Sequence, residues 1–386
     1  MILFVSYGGG HIAILHRIAS YLQTKGVENQ ILPLTTAVPY LESRQYKDYI
    51  KLEKLCSETT LHKRFDGTPI RDIIDQAHNS AVGIPKEHTE AYHAIGFKEL
   101  VDHLGSFLAA RELYEAKGRF AFFPLNFAKV VLKKLNPKAV FITNVSRYEG
   151  AFGKAAQELG IPSFGIDDLF GTQIVDLPQV ETLFVENELA ETNFVRKGFK
   201  GNIIISGNPV FQDLYKFRED RFNSKRLLVL LQPGFRRITD NEITLVNADF
   251  YTQLWDSLEE VSFWKQFDEV VLRLHPSMTN GEAYKRHSMI LEKNINIHDS
   301  IKKVSHVMGF GSTSLYEGAL AGRKYLAFEF EEDYFKLPLV YNGQVSHKGN
   351  LNRFNNKFIL FKQNTKINAN EKIYQVLKEE VLNNGR

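Results

Sequence analysis

Two consecutive doubly wound α/β domains are what this sequence predicts, and three observations carry that expectation. Apolar strands alternate with helix-spaced segments, starting with a strand, a helix and a second strand at the N-terminus. A second such rhythm begins at Arg226, after a charged stretch from Lys216 to Lys225 with no apolar face. The polar clusters that could do chemistry fall at the carboxyl ends of strands, the edge at which open α/β sheets bind ligands. Rossmann-like domains over residues 1–208 and 209–386 follow, facing each other across a cleft, the last helix packing back on the first domain.

The elements are read in chain order. Ile2–Ser6 is an apolar strand ending in the turn Tyr7-Gly8-Gly9-Gly10-His11. A helix follows with apolar Ile12, Leu15, Ile18, Ala19 and Leu22, and stops at Lys25-Gly26 before the strand Gln30–Leu34. Residues 38–116 read as helix-rich and irregular, with one amphipathic stretch over Phe97–Ala116. The α/β rhythm returns with the helix Phe127–Lys134, the strand Ala139–Thr143, the helix Tyr148–Leu159 and the strand Ser163–Ile166. The strand Thr182–Val185, the helix Glu188–Lys197 and the strand Asn202–Ser206 complete the first set, and Gly207-Asn208-Pro209 turns the chain. The second set holds the strands Arg226–Leu231, Glu269–Leu274, Val304–Gly309 and Lys324–Phe328, with a helix running to Ala321 and another over Asn370–Asn383. No internal repeat or low-complexity tract interrupts it.

Composition narrows the function. The chain has 386 residues, 44% hydrophobic, with 48 Lys plus Arg against 45 Asp plus Glu and a net charge of +3. That mild excess suits an anionic small molecule or an anionic membrane nearby, and it is not the footprint of a nucleic-acid binder. Cys56 is the only cysteine, so no intrachain disulfide or cysteine-rich zinc site is expected, and a reducing compartment fits. The N-terminus lacks the basic and apolar regions of a signal peptide, and no apolar run approaches a membrane span of roughly 20 residues. The expectation is a cytoplasmic protein, with peripheral contact at the inner face of the plasma membrane compatible with it.

Six clusters could carry chemistry. Gly311-Ser312-Thr313-Ser314 joins a strand to a helix that carries Glu317 one turn in. Free N–H groups and hydroxyls there make an anion site, and Glu317 suits a ribose diol; plain N-capping by serine is the bland alternative. His275-Pro276 ends a strand, where an imidazole can donate to a phosphate or simply pack. Gly8, Gly9 and Gly10 allow close backbone approach at a helix start, with His11 as a catalytic, acceptor-binding or ordinary first-turn residue. Asp167-Asp168 follows a strand and can supply a general base, since adjacent carboxylates raise one another's pKa; a solvated turn is the alternative. Thr143-Asn144 with Arg147 and Glu149 suits a carboxylate or phosphate, or forms an Arg147–Glu149 surface pair. Gln232-Pro233-Gly234 with Arg236 and Arg237 grips phosphate or forms a solvated basic turn.

On these residues the sequence resembles the GT-B superfamily of glycosyltransferases and nucleotide-sugar epimerases. Tyr7-Gly8-Gly9-Gly10-His11 resembles the glycine-rich loop and histidine of the peptidoglycan N-acetylglucosaminyltransferase. Val185-Glu186-Asn187-Glu188 through Gly207-Asn208-Pro209-Val210 is similar to the hinge approach of that enzyme and of UDP-N-acetylglucosamine 2-epimerases. His275-Pro276 with Ser312-Thr313 resembles the His-Pro and Ser/Thr motifs of bacterial sialyltransferases and Kdo transferases. The resemblance implies an inverting, metal-independent glycosyltransferase without a cofactor. Its C-terminal domain would bind the nucleotide sugar through Gly311, Ser312, Thr313, Ser314, Glu317, Gln232, His275 and Pro276, CMP-sugar being favoured and UDP-sugar the alternative. Its N-terminal domain would bind a glycan or lipid-linked glycan acceptor through Gly9, Gly10, Asn144, Arg147 and Glu149. Asp167 or Asp168 is the nearest match to the family's acidic base, in Asp-Asp-Leu-Phe-Gly rather than Asp-Asp-Gly, with Glu149 and His11 as rivals. A UDP-N-acetylhexosamine 2-epimerase and a non-catalytic nucleotide-sugar-binding subunit are the other readings. Epimerases typically open on a Thr-Arg-Pro-Glu type loop, which is absent here.

Overall fold

The computed structural model describes residues 1–58, 70–79, 83–143, 145–172, 177–232, 235–236, 243–244, 246–275, 278, 280–286, 288–292, 296–330, 337–362 and 368–383. It divides into two compact units, Met1–Val210 with Ile367–Arg386, and Phe211–Lys366.

The first unit is built on a parallel sheet of strands β1 (Ile2–Ser6), β2 (Asn29–Pro33), β3 (Ala139–Ile142), β4 (Ser163–Ile166), β5 (Thr182–Val185) and β6 (Asn202–Ile205), in the order β2-β1-β3-β4-β5-β6. Every residue of β1, β3, β4 and β5 is buried, which is why these strands read as unbroken apolar runs rather than alternating ones. Phe141, Phe164 and Phe184, from three neighbouring strands, stack on one another with centroids 5.7 to 6.2 Å apart. Helix α1 (Gly10–Thr24) returns from β1 to β2 and buries Ile12, Leu15, Ile18 and Leu22.

Between β2 and β3 stand α2 (Ala37–Ser43), α3 (Leu52–Glu58), α4 (Arg71–Asn79), α5 (Lys86–Leu104), α6 (Phe107–Lys117) and α7 (Leu125–Leu135). The single amphipathic stretch predicted over Phe97–Ala116 is two helices. Gly105 takes φ 70°, where only glycine is at ease, and the Ser106 hydroxyl accepts the Ala109 N–H to start the next helix. Helix α8 (Arg147–Glu158) joins β3 to β4, and α9 (Glu188–Arg196) joins β5 to β6.

The second unit carries β7 (Arg226–Leu230), the ribbon β8 (Phe235–Arg236) with β9 (Ile243–Thr244), α10 (Ala248–Glu260), β10 (Glu269–Arg273), β11 (Ile290–Glu292), α11 (Ile297–Lys302), β12 (His306–Gly309), α12 (Thr313–Leu320) and β13 (Lys324–Phe330). Strands β14 (Gly343–Val345), β15 (Leu351–Phe354) and β16 (Ile359–Leu360) then extend a sheet ordered β11-β10-β7-β12-β13-β14-β15, with β16 on β13. Lys324–Phe328, expected to close the set, is therefore followed by three further strands. Helix α10 fills the core with Phe250, Tyr251, Leu254, Trp255 and Leu258. The charged stretch after Lys216 is strapped to this unit: the buried Arg323 donates to Phe217 O at 3.1 Å and pairs with Asp220 at 2.7 Å. Helix α13 (Ala369–Leu377) belongs with the first unit, where Ile373, Val376 and Leu377 join the core around Phe4 and Leu15.

Strand order decides where ligands bind. In the first sheet β1 leads to β2 on one side and β3 leads to β4 on the other, so the topological switch lies between the carboxyl ends of β1 and β3. In the second, β7 leads to β10 one way and β12 to β13 the other, putting the switch between β7 and β12.

Candidate functional site

The first switch point carries a connected cluster. The turn after β1 delivers His11 to the first turn of α1, and the end of β3 delivers Thr143, with Glu149 following in α8. The turn is built on close approach. A Cβ on Gly8 would stand 1.8 Å from Thr36 Oγ1, and Gly9 takes φ 72°. Glu149 is fully buried. Its Oε1 accepts the Tyr7 N–H at 2.7 Å, and its Oε2 accepts the Thr143 N–H at 2.7 Å and the Thr143 hydroxyl at 2.8 Å. Since that hydroxyl donates to Glu149, its free lone pair accepts the His11 Nδ1–H at 2.7 Å, with Glu149 Oε1 also 3.3 Å from Nδ1. His11 Nε2 lies 3.4 Å from Asp168 Oδ2.

The imidazole is thus held between two carboxylates. Burial works against its charge, but Asp168 and Glu149 outweigh burial and lift its pKa to about 9. Glu149 is lowered: burial opposes its ionisation, and the hydrogen bonds and charge of His11 overcome it. Burial raises both Asp168 and Asp167, the latter to about 7 with the charge of Asp168 adding to the effect. The two aspartates differ in duty. Asp167 Oδ2 accepts the Gly171 N–H at 2.9 Å and braces the Asp-Asp-Leu-Phe-Gly turn, in which Phe170 takes φ 57°. Asp168 faces His11 and Gly10 instead. A cavity of about 110 Å³ opens on His11, Thr143, Asp167, Asp168, Leu169 and Phe194 among its walls.

Arg147 does not pair with Glu149, whose carboxylate is committed inward. Its guanidinium lies 4.0 Å from the Tyr7 ring centroid. The Tyr7 hydroxyl accepts the Tyr148 N–H at 3.3 Å and stands 2.9 Å from the Tyr92 hydroxyl, tying the cluster to α5.

The second unit presents its own switch point. Ser312 caps α12, its hydroxyl accepting the Ser314 N–H at 3.3 Å, so the capping role is present there. Glu317, buried one turn on, meets His298 Nε2 at 2.8 Å. Gln232, after β7, is held through its backbone by the Tyr251 hydroxyl at 2.8 Å, and its buried Oε1 has no hydrogen-bond partner among the described residues. His275 lies after β10, next to β7 in the sheet; burial lowers its pKa. Arg273 is not a free cation, since it meets Glu292 at 3.2 Å and Ser300 at 2.8 Å.

No family model matches the chain, and no curated protein matches it in sequence. Solved structures do match in fold. The UDP-GlcNAc 2-epimerase from Methanocaldococcus jannaschii superposes with TM-score 0.56 at 12% identity, covering 98% of this chain and 99% of that one. The same enzyme in complex with UDP-GlcNAc and UDP gives TM-score 0.54 at 13% identity, covering 98% of this chain and 100% of that one. A further UDP-N-acetylglucosamine 2-epimerase structure gives TM-score 0.50 at 10% identity over 98% of this chain and 87% of that one. The fold is GT-B. At these identities the likeness is one of fold alone.

On the GT-B frame the predicted residues fall into two groups. His11, Glu149 and Asp168 meet in one cluster, with Gly9 and Gly10 in the adjoining turn, Asp167 behind and Arg147 beside it on Tyr7. Gln232, His275, Gly311, Ser312, Thr313, Ser314 and Glu317 lie at strand ends of the second sheet, while Asn144, Pro276, Pro233, Gly234 and Arg237 lie outside the described residues. Three participants escaped the sequence reading as site residues. Thr143, named only as part of a segment, passes the hydrogen bond from His11 to Glu149, and Tyr7 carries Arg147. His298 reaches Glu317 from 19 positions upstream, a tertiary contact with no local signature. Among the described residues no helix is long and apolar enough to cross a membrane.

Proposed function

We propose that this chain is an inverting, metal-independent glycosyltransferase that uses a nucleotide sugar, with Asp168, backed by His11, as the base on an acceptor hydroxyl. The observation that carries this reading is the relay Asp168–His11–Thr143–Glu149 at the switch point of the first sheet, opening on a cavity. Glu149 is enclosed and serves to orient His11. Asp167 is spent on its turn. Asp168 alone of the three carboxylates is left to meet an incoming hydroxyl.

In the proposed reaction the acceptor oxygen attacks the anomeric carbon and its proton passes to Asp168. The bond from that carbon to the donor phosphate breaks, and the phosphate leaves with the electron pair. The transition state has oxocarbenium character, so alignment and stabilisation of the leaving phosphate dominate the acceleration. The second unit is proposed to hold the nucleotide, with Glu317, fixed by His298, on the ribose and Gln232, His275, Ser312 and Thr313 toward the phosphate. The His-Pro and Ser/Thr pattern favours a CMP-activated ulosonic acid of sialic-acid or Kdo type and a surface-glycan acceptor. A UDP-sugar is the alternative, supported by the fold shared with an epimerase solved with UDP-GlcNAc and UDP.

That fold likeness also favours a second reading, a UDP-N-acetylhexosamine 2-epimerase. One assay separates them. The protein is incubated with CMP-sialic acid, CMP-Kdo and UDP-GlcNAc, each with and without a glycan acceptor mixture, and with or without EDTA. Acceptor-dependent release of nucleotide, unaffected by EDTA and lost in Asp168→Asn, is expected. Conversion of UDP-GlcNAc alone to its 2-epimer would replace the transferase reading with the epimerase one.

A further inference from the structure

Arg147 and Arg119, the two arginines whose charge reaches Tyr92, stand without an ion-pair partner among the described residues. Arg147 opens α8 at φ 56°, a backbone conformation that a side chain as large as arginine rarely adopts. Its guanidinium lies 4.0 Å from the Tyr7 ring centroid and 4.8 Å from that of Phe120, and its Nε is buried without a hydrogen bond among the described residues. Glu149, two residues on, would be its natural partner and is instead committed to His11, Thr143 and the Tyr7 N–H.

Arg119 sits in the short turn after α6, exposed, on the wall of a second cavity of about 600 Å³. Tyr92, Tyr114, His88 and His93 also line this cavity, as does Arg111. Arg111 meets Asp72 at 2.7 Å and Glu115 at 2.9 Å, both also on the cavity wall, so these two carboxylates more than offset its charge and leave Arg119 as the cation not paired within the lining. His93 brings no charge: burial pushes its pKa down to about 4, its Nδ1 donates to Thr89 O at 2.8 Å, and its Nε2 accepts from the Tyr114 hydroxyl at 3.2 Å. The Tyr92 hydroxyl, bonded to that of Tyr7, joins this cavity to the ring under Arg147. Both arginines act on Tyr92 through their charge.

We infer that the acceptor is an anionic saccharide, its carboxylate or phosphate gripped by Arg147 and a further part of the same molecule lying in the cavity beside Arg119. This rests on the transferase reading and adds the acceptor's chemical class. A guanidinium stacked on an aromatic ring keeps its N–H edge free and fixed in plane, which suits the two oxygens of a carboxylate or phosphate. Tyr92 is almost wholly buried against Tyr148 and shapes the cavity from behind, while the half-buried Tyr114 is the ring the cavity offers to a sugar. Among the described residues the strained backbone of Arg147 is offset by the two ring contacts of its guanidinium alone, which leave the hydrogen-bonding capacity of the group to a ligand.

The test measures binding rather than turnover. Full-length protein is titrated with methyl β-glucuronoside, glucose 6-phosphate and neutral methyl β-glucoside by ligand-observed NMR, at low and at high salt. At least one anionic probe is expected to bind roughly ten-fold more tightly than the neutral one, with the preference shrinking at high salt. The glucuronoside and the phosphate arms say which acid is recognised. Arg147→Ala should abolish the preference, Arg147→Lys should keep part of it by charge alone, and Arg119→Ala should weaken it. Equal binding of charged and neutral probes to the native protein overturns the inference. So does a preference unchanged in both Arg147 variants, whose folding is checked by thermal melting. UDP and CMP are titrated on the same samples. Failure of both nucleotides to bind would count against the transferase reading while leaving the anion preference standing.

Discussion

His11 carries a proton that two carboxylates and a threonine hydroxyl compete to hold, and that competition is measurable as stability. Its folded pKa of about 9 lies above the ordinary 6.5. A raised pKa means the stabilisation is fully present below pH 6.5 and is lost as pH rises through about 9. The difference corresponds to a contribution on the order of 3 kcal/mol. The thermal midpoint of the native protein should therefore fall across that window, and His11→Gln should flatten the decline. Asp167 works in a lower window. Its pKa, raised by burial from 3.8 to about 7, adds stability below pH 3.8 that disappears as pH climbs through 7. Asp167→Asn can still accept the Gly171 N–H but has no charge to desolvate, so it should be more stable than the native protein above pH 7. The two aspartates then separate in activity. Asp168→Asn is expected to lose on the order of 10²–10⁴ in turnover, the usual worth of a general base, while Asp167→Asn keeps most of it. A larger loss in Asp167→Asn would show that the brace and the base have been assigned the wrong way round, and equal losses would show that Asp168 is not the base by itself. Glu149→Gln must turn an amide N–H₂ toward the Tyr7 or Thr143 N–H, and should cost about 1–3 kcal/mol in urea unfolding.

The turn after β1 shows how an element constrains these residues. A methyl group on Gly8 would stand 2.9 Å from the Thr36 carbonyl carbon as well as against its side chain, so backbone has to shift. Gly8→Ala is expected to destabilise by about 1–3 kcal/mol and to move His11 off Thr143, lowering turnover more than nucleotide affinity. Unchanged stability and turnover would mean that the turn relaxes freely. This element was legible in the sequence because a fully buried strand, a glycine run and a helix with apolar residues at regular spacing all point one way. Strands β3 to β5 were legible as unbroken apolar runs, and β6 by its three consecutive isoleucines. The α5–α6 break was signalled by Gly105-Ser106, yet apolar residues continue on both sides and hide the change of axis. Helix α10, absent from the elements expected in the second set, carries a capping Asn247 and a clear apolar face. Strands β14 to β16 hold two to four residues each, too few for a period to show. The candidate site divides likewise. His11, Asp168 and Glu149 stood out because each follows a strand, whereas Thr143 and His298 gain their meaning only from tertiary contacts.

At the scale of the whole chain, the first unit is completed by residues from the far end of the sequence. Ile373, Leu377 and Val381 lie almost wholly buried in its core, with Val376 nearly so. Lys25 of the first unit meets Glu371 at 3.1 Å and sits 5.2 Å from the Tyr374 ring centroid. Charge pairs of this exposure add little, so the apolar face of α13 and of the turn after it is what matters. Burying each such side chain contributes about 1.5–3 kcal/mol, so four of them approach the whole stability of an ordinary domain, about 5–15 kcal/mol. The second unit, Phe211–Lys366, has a separate core around Leu254, Trp255 and Phe310 to which α13 contributes nothing. Removing the chain from Ala369 onward is therefore expected to unfold the first unit or lower its melting sharply while the second stays folded. Hydrogen exchange on the truncated protein should lose protection in β1, β3 and α1 and keep it in β7, β12 and α10. Nucleotide binding should survive and the anion preference should vanish. Retained protection across β1 and α1 would mean that the sheet holds without α13, and loss of protection in both units together would mean that their stabilities are coupled.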